Sequence, residues 1–315
     1  MTPARGVAKA ASKAAPATMT VRQLNRAFLA RQMLLARERR PAVDAIRALM
    51  ALQAQVPRPP FIGLWTRLTD FDAEELRSAL RKRQVVRVTA MRVTLHLMAT
   101  DDYLAHRGTL QPMLARGAAA ILRSRMTDGD VARFNAIGRD FFGKTPATFD
   151  TLRNFLTASD PKGDVRATAY GVRCHVPLVQ VPTDAVWAYP ASADFLLADT
   201  YLKRKVVLKA GSLEEIVRRY LAAFGPATPA DAQAWSGMQG LRETFEALRP
   251  SLVVVRDERR RELFDLPDAP RPTDEIAAPV RFLPEFDNTM LGHDDRTRVV
   301  SDEHRRRLAT KNLQV

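Results

Sequence analysis

The spacing of apolar residues predicts a chain that begins with helices. Leu24 and Phe28 lie one helical turn apart, and Ile46 and Leu49 show the same period further along the chain. Pro41 stands just before that second segment, where a proline favours a helix start. The same reasoning predicts a short apolar helix at 61–68 and an amphipathic helix at 72–83 with an acidic first turn.

The pattern then changes to the alternation that is typical of strands. Even positions are apolar in 86–90 and odd positions are apolar in 91–97, so the alternation reverses near residue 90. This reversal predicts a turn or bulge between two strands. On the second strand, Arg92, Thr94 and His96 are expected to share one face. Helices followed by a two-stranded wing have the order of a winged helix, although any small α+β unit could show it.

Two further rounds of this order follow along the chain. Residues 127–139 and 149–158 have a helical pattern, and 177–181 and 186–189 have an extended one. In the third round, Ser212 and Thr228 are predicted to cap two helices, and 252–255 is a β-branched strand. The basic run 256–261 then predicts a hairpin tip that carries Arg259 and Arg260.

These patterns predict an α+β fold, mainly α, built from tandem winged-helix domains with a β-rich C-terminal segment. The expected divisions are a disordered basic tail at 1–18, a first winged helix with a connecting helix at 19–126, a second at 127–210, a third at 211–266, and a linker leading into the C-terminal segment at 267–315.

The net charge of the chain then indicates which class of binding partner to expect. The composition, 46% hydrophobic and 27% charged, is that of a globular chain. Forty-nine Lys and Arg oppose thirty-five Asp and Glu, which gives a net charge of +14. Such a field attracts polyanions, and nucleic acid is the first candidate. Ribosomal proteins, membrane-surface proteins and merely basic enzymes share this feature.

Other features of the sequence bear on the location of the protein and on cofactors. No apolar run is long enough for a membrane-spanning helix, and no signal-peptide core is present. The single cysteine, Cys174, fits a reducing cytoplasm, so a cytoplasmic, nucleoid-associated protein is expected. Phosphate-loop, dinucleotide, nucleophile-elbow and HExxH motifs are absent. The polar cluster at 285–298 fits no metal template, and paired structural charges are the favoured interpretation. We therefore expect no metal and no cofactor.

One pair of glutamines could carry chemistry. Gln53 and Gln55 flank Ala54 and would point to opposite sides of a helix. Pro57 disfavours helical geometry at Val56, and an unwound chain would place both glutamines on one side. The alternative is a solvated helix end without a role.

Four segments, taken together, resemble the AlkZ/YcaQ family of bacterial DNA glycosylases, which have a tandem winged-helix architecture. They read LQAQVPRPPFIGLWTRL at 52–68, MRVTLHL at 91–97, FGPATPADAQAWSGM at 224–238 and FLPEFDNTMLGHDDRTRVV at 282–300. The resemblance runs in order from about Met19 to about Val300.

This resemblance implies site residues. The family's Gln-Φ-Gln or Gln-Φ-Asp element, Φ being apolar, corresponds to Gln53 and Gln55, which implies that both are catalytic and that the chain is AlkZ-like. The family's RGTLH-like strand corresponds to residues 92–96, with Val93 in place of the usual glycine. Family members continue further, so we expect a truncated C-terminal segment at Val315. The expected DNA-binding or site-lining residues are Trp65, Arg87, Arg92, Thr94, His96, Arg259, Arg260, Arg296 and Arg298.

The function implied is excision of cationic N-alkylated purines, N7-alkylguanine in type, including bulky adducts or interstrand crosslinks. The partner would be double-stranded DNA with alkylated bases, bound by a monomer. Two alternatives remain open: a non-catalytic winged-helix regulator, and a glycosylase remnant that binds DNA without cleaving it.

Overall fold

The computed structural model describes residues 16–127 and 129–308, which form a mixed α and β fold that is about half helical. The strands in this part of the chain are β1 (Thr18–Met19), β2 (Leu52–Gln53), β3 (Val85–Thr89), β4 (Leu95–Ala99), β5 (Leu178–Gln180), β6 (Phe195–Leu197), β7 (Val253–Asp257) and β8 (Glu262–Asp265). The α-helices are α1 (Val21–Arg31), α2 (Ala42–Ala48), α3 (Pro59–Arg67), α4 (Ala73–Arg81), α5 (Thr100–Leu122), α6 (Asp130–Phe141), α7 (Phe149–Ser159), α8 (Val165–His175), α9 (Ala198–Leu202), α10 (Leu213–Phe224), α11 (Pro229–Ser236), α12 (Leu241–Leu248), α13 (Asn288–Leu291) and α14 (Asp302–Leu308).

Most predicted helices are present, and their starts follow local capping chemistry. The Ser212 hydroxyl accepts from the Glu215 amide at the start of α10, and Thr228 forms a reciprocal capping box with Asp231 at the start of α11. The periodicity of apolar residues predicted no bounds for α5 and did not predict α8. Helix α5 buries residues all around its axis, so it lacks the single apolar stripe by which a helix is recognised.

The larger sheet has five antiparallel strands in the order β2-β4-β3-β5-β6. The predicted turn near residue 90 is confirmed, because β3 ends at Thr89 and β4 begins at Leu95. The prediction that Arg92, Thr94 and His96 share a strand face is wrong. Residues 91–93 form a 3₁₀ turn and β4 begins at Leu95, so His96 is the only one of the three on the strand. All residues of β4 are buried.

Of the two strands predicted for the second wing, one is confirmed and the other is wrong. Strand β5 lies within the predicted 177–181, but 186–189 is not a strand, and its place is taken by β6. The reason is local: Ala188 has a φ of 63°, and its carbonyl accepts from the Thr183 amide, so this segment folds back as a turn. Val186 and Trp187 are consequently exposed instead of alternating between two faces.

Three units repeat the same arrangement. In the first unit (α2–α4 with β3–β4), β2 lies between the first two helices and pairs with β4. In the second unit (α6–α8 with β5–β6), Ala147 lies at the corresponding place and pairs with Phe195 of β6. In the third unit (α10–α12 with β7–β8), Ala227 pairs with Phe264 of β8. Each unit therefore has a short extended stretch held against the second strand of its hairpin.

Buried side chains divide largely along these units. One cluster contains Ile46 and Leu80 of the first unit, and another contains Phe134 and Val172 of the second. The third unit shares a larger cluster, which includes Trp235, with α5 and with part of the five-stranded sheet. The first hairpin therefore lies where the cores of all three units meet.

The chain's early residues join the third unit. Residues 1–15 of the predicted tail lie outside the described part of the chain. Residues 16–18 of the predicted tail are described, and β1 pairs in parallel with Arg256 and Asp257 of β7. The Ala17 carbonyl also accepts from the Arg256 amide at 2.9 Å.

The segment after residue 267 differs from its predicted β-rich character. Between 267 and 308 the structure has no strand, only short helical turns. Five prolines (267, 270, 272, 279 and 284) remove backbone donors that a strand ladder would need. Side chains hold the segment instead: Arg22 of α1 donates to the Asp274 carbonyl at 2.6 Å, and Arg281 donates to the Leu34 carbonyl at 2.9 Å.

None of the helices in the described ranges combines the length and apolar character needed to cross a bilayer.

Candidate active site

The glutamine pair lies on extended chain. Helix α2 ends at Ala48, and Met50 takes a φ of 68°, which directs the backbone out of the helix into β2. The predicted departure from helical geometry is confirmed, although it occurs before Gln53 and not at Val56. Gln53 ends β2 and Gln55 begins the bend that follows, so the pair lies where the extended chain turns towards α3.

A buried arginine holds the backbone between the two glutamines. The Arg87 guanidinium donates to the Ala54 carbonyl from Nε at 2.9 Å and from Nη2 at 2.7 Å, and Nη2 also reaches the Gln55 carbonyl at 3.2 Å. Its other side stacks on the Tyr189 ring. Burial lowers the pKa of Arg87 to about 10, so it remains charged at neutral pH. With 3% exposure, Arg87 lines the site from beneath and does not reach DNA directly.

Gln53 is held by a second arginine. Arg92 Nη2 donates to Gln53 Oε1 at 2.6 Å, and Nη1 donates to the Trp235 carbonyl of the third unit. His96 lies directly opposite Gln53 in the β2–β4 pair, so the two side chains share a face of the sheet. Burial, together with the charge of Arg92, lowers the pKa of His96 to about 3. The imidazole is therefore neutral, and its Nδ1 donates to the Thr94 carbonyl at 3.0 Å.

Gln55 is the exposed member of the pair. Its Oε1 accepts from the Leu95 amide at 3.2 Å, and the Ala54 amide donates to the Leu95 carbonyl at 2.7 Å. The amide oxygen retains a second lone pair, and the amide nitrogen offers two donors. The side chain is thus fixed at one atom while the rest of its hydrogen-bonding capacity faces solvent.

The turn that carries Arg92 is left-handed. Arg92 and Val93 have φ values of 53° and 60°, a region that a β-branched residue rarely adopts. This geometry accounts for the glycine that Val93 replaces. The turn is packed closely on both sides: Val93 occupies the space where Gly117 would carry a Cβ, and Gly237, with a φ of 76°, lies against the Arg92 backbone. A side chain at either glycine would displace the turn.

The C-terminal segment supports the motif from below. Asn288 Nδ2 donates to the Ala51 carbonyl at 2.9 Å. Asp287 accepts from both terminal nitrogens of Arg67 at 2.8 Å in a fully buried ion pair. Burial alone would raise the pKa of Asp287, but the charge and hydrogen bonds of Arg67 outweigh it and the pKa is lowered. The carboxylate therefore stays ionised and keeps α3 joined to this segment.

The other predicted residues are spread more widely. Trp65 lies on the outer face of α3, 45% exposed, with the Arg37 guanidinium 4.9 Å from its ring centroid. Arg259 and Arg260 are exposed at the β7–β8 tip, as the hairpin prediction required. Arg296 lies near Arg92, since its charge adds to burial in lowering the pKa of Arg92 to about 10.

Arg298, a predicted DNA-binding or site-lining residue, makes a structural contact inside the protein. It is buried and donates to the Pro226 carbonyl at 2.8 Å, so it braces the start of α11 from inside the protein. The favoured interpretation of the surrounding cluster as paired charges is confirmed for Glu285 with Arg58, for Asp287 with Arg67, and for Asp295 with Arg259 and Arg261. Among the described residues, no group of three or more His, Cys, Asp or Glu side chains is placed to hold a metal ion.

The sequence did not identify the supports of the motif. Trp235 and Asn288 contact the motif or its anchors from far along the chain, and Arg67 pairs with Asp287, 220 positions away. No local pattern marks such contacts. The only indication in the sequence was that these residues lie in the segments 52–68, 224–238 and 282–300, which carry the family resemblance.

Comparison with known proteins shows what this chain is similar to. The family model "DNA glycosylase AlkZ-like" matches residues 46–315. The fold is similar to that of the DNA glycosylase AlkZ of Streptomyces sahachiroi, with a TM-score of 0.75 and 21% identity, covering 95% of this chain and 84% of that one. Comparison with curated proteins gave no match. The match to the family model covers most of the chain, including the glutamine pair and its supports, and the chain therefore belongs to the AlkZ-like family of DNA glycosylases, enzymes that act on N-glycosyl bonds.

Proposed function

We propose that the protein excises cationic N-alkylated purines from duplex DNA and that Gln53 and Gln55 are its catalytic residues. One observation carries the proposal: the two glutamines lie two positions apart on a segment whose Ala54 and Gln55 carbonyls are both held by Arg87. Gln55 is exposed and Gln53 is half-buried, so both remain within reach of a nucleotide.

The chemistry of the lesion suits these groups. An N7-alkylguanine or N3-alkyladenine is positively charged, so its glycosidic bond is already weak and its departure needs little acid assistance. The enzyme must place a water beneath the sugar and stabilise the oxocarbenium-like charge. Gln55 accepts a hydrogen bond from that water, while Gln53 orients it or contacts the sugar.

The same groups restrict the substrate. A glutamine is not a strong general base, and His96 is neutral and buried beside Gln53. Neither can drive the loss of a neutral base. We therefore expect negligible excision of uracil or hypoxanthine.

The space beside Gln53 also limits how a base is held. A cavity of about 10 Å³ lies between β2, the start of α3 and residues 284–288. That volume is close to what one water molecule needs and far below what a base needs. The site is otherwise open at Gln55, which supports lesions that a tight pocket would reject, such as bulky adducts and interstrand crosslinks.

We infer that three winged helices carry the DNA, with the divisions 19–126, 127–210 and 211–266. The repeated pairing of a short extended stretch with the second strand of each hairpin supports this inference. The exposed arginines of the β7–β8 tip would contact phosphates, and affinity should fall with salt by a slope of about 0.9 per phosphate neutralised.

The test is release of 7-methylguanine from alkylated duplex DNA under single-turnover conditions. Gln53→Ala and Gln55→Ala should each lower the rate by about 10²–10³-fold, as for loss of one transition-state contact. Gln84→Ala is the matched control, because Gln84 is an exposed glutamine of the same unit outside the site. All variants should bind undamaged duplex equally.

Two results would contradict the proposal. Efficient excision of uracil would show that the site acts on neutral bases. Intact DNA binding without release of either 7-methylguanine or a bulky N7 adduct would show that the chain only binds DNA.

A further inference from the structure

A second concentration of charge lies in the second unit, away from the glutamine pair. Helices α7 and α8 enclose a cavity of about 310 Å³, which is within the size range of small-molecule sites. It is lined by Phe149, Arg153, Arg166, Ala169, Tyr170 and Arg173.

Helical spacing builds this cavity. Arg166, Tyr170 and Arg173 follow one another on α8 at intervals of three and four residues, so they form one stripe on the helix surface. Phe149 and Arg153 are four residues apart on the facing side of α7. The two stripes face each other with three guanidinium groups between them.

The cavity has more positive charge than the protein neutralises. Arg153 is paired with Asp150. Within residues 16–127 and 129–308, Arg166 and Arg173 pair with no carboxylate. Burial lowers the pKa of Arg173, and the nearby charge of Arg153 lowers it further, so an anion entering the cavity would relieve repulsion.

Aromatic rings fix one of these arginines in place. The Arg173 guanidinium lies 5.2 Å from the Phe149 ring centroid and 5.6 Å from that of Phe195. Cation–π contacts of this kind occupy the face of the guanidinium and leave its N–H edge free for a bidentate acceptor. The geometry is that of a prepared phosphate site.

We propose that this cavity binds a phosphate group through Arg166 and Arg173. Because the chain belongs to a family of DNA glycosylases, the expected occupant is a backbone phosphate of the bound DNA, and in this respect the site rests on the proposed function. Arg87, Gln180 and Phe195 lie in one row across the sheet, so the ring beneath Arg173 is two strands away from the arginine that holds the glutamine motif. A free phosphorylated metabolite has the same chemistry and is distinguished by the test.

The first arm measures affinity for undamaged duplex DNA between about 50 and 200 mM salt. If the phosphate belongs to DNA, Arg166→Gln and Arg173→Gln each reduce the salt slope by about 0.9. Arg39→Gln is the matched control, because it removes the same charge from an exposed side chain of the first unit. Arg166 is exposed, so its variant should fold even if the substitution of Arg173 disturbs packing.

The second arm measures binding of inorganic phosphate and of AMP by calorimetry. Binding to the parent that Arg166→Gln abolishes, with an unchanged DNA slope, would support the site and assign it to a free phosphorylated ligand. No change in either arm would overturn the proposal. Both arms measure binding, so a failure to excise 7-methylguanine would not be mistaken for a failure of this site.

Discussion

At the scale of single residues, the site depends on one buried cation. Arg87 binds two consecutive carbonyls, those of Ala54 and Gln55, from a position that DNA cannot reach. Its fork geometry fixes the backbone between the glutamine side chains, and a point charge could not do so equally well. We therefore propose that Arg87 is a positioning residue that acts through the glutamines.

Replacement of Arg87 by lysine tests this role. Arg87→Lys keeps the charge but loses the fork, so excision should slow by about 10²-fold through misplacement of the glutamines. Loss of buried hydrogen bonds should also cost about 1–3 kcal/mol in the free energy of unfolding. Affinity for undamaged DNA should stay within about twofold, since Arg87 makes no phosphate contact. Single-turnover rates, binding and urea unfolding check the three expectations, with exposed Arg47→Lys as the control. An unchanged excision rate would refute the positioning role.

Single residues also show what could not be predicted from the sequence. Pro57 is a local signal that predicts a departure from helical geometry, but the helix ends earlier, where Met50 takes a positive φ that no local pattern indicates. Asn288, which holds Ala51 from 237 positions away, leaves no local trace. His96 was expected to share a strand face with Arg92 and Thr94, yet it alone lies on β4 and it is buried, because other parts of the chain pack over that face of the sheet.

At the scale of elements, the sequence predicted the structure best where a turn interrupts a clear run or periodic pattern of apolar residues. The β7–β8 hairpin was predicted because a β-branched run precedes a cluster of charged residues, and the structure has it there. Strand β6 was misplaced because 186–189 is as apolar as 195–197. The local turn at Ala188 removes the first segment from the sheet, and the second pairs with β5.

The hairpin tip gives a prediction of its own. Arg260 is exposed and has a φ of 62°, which asparagine tolerates well. Arg260→Asn should therefore preserve the thermal midpoint and reduce the salt slope of DNA binding by about 0.9 if the tip contacts a phosphate. Arg259→Gln should have a smaller effect, because Asp295 already partly neutralises Arg259 at 3.2 Å. Equal slopes for Arg260→Asn and the parent would remove the tip from the DNA interface.

At the scale of the whole molecule, two buried histidines tie stability to pH. The pKa of His96 is lowered to about 3, and burial with the charge of Arg298 lowers that of His293 to about 3. Below about pH 6.5 the unfolded chain takes up protons at these positions and the folded chain does not. Stability should therefore fall as the pH decreases from about 6.5 towards 3, by on the order of 1.4 kcal/mol per pH unit for each histidine.

Urea unfolding at a series of pH values measures this dependence. His293→Gln keeps a donor for the Phe224 carbonyl, which His293 Nε2 contacts at 2.9 Å, and removes one titrating group. The variant should show a shallower loss of stability on acidification than the parent, whatever its stability at neutral pH. An identical pH slope would mean that His293 does not titrate as its burial requires.

The bond from Asn288 to Ala51 has a consequence for biosynthesis. A ribosome adds about 5–20 residues per second, so the 237 positions between the two residues correspond to roughly 10–50 s of translation. Throughout that interval the glutamine segment has emerged without the amide that holds its preceding carbonyl, and α3 lacks the carboxylate partner of Arg67. A nascent chain therefore lacks both contacts until residue 288 has emerged, and we expect its glutamine segment to be held less firmly than in the folded protein.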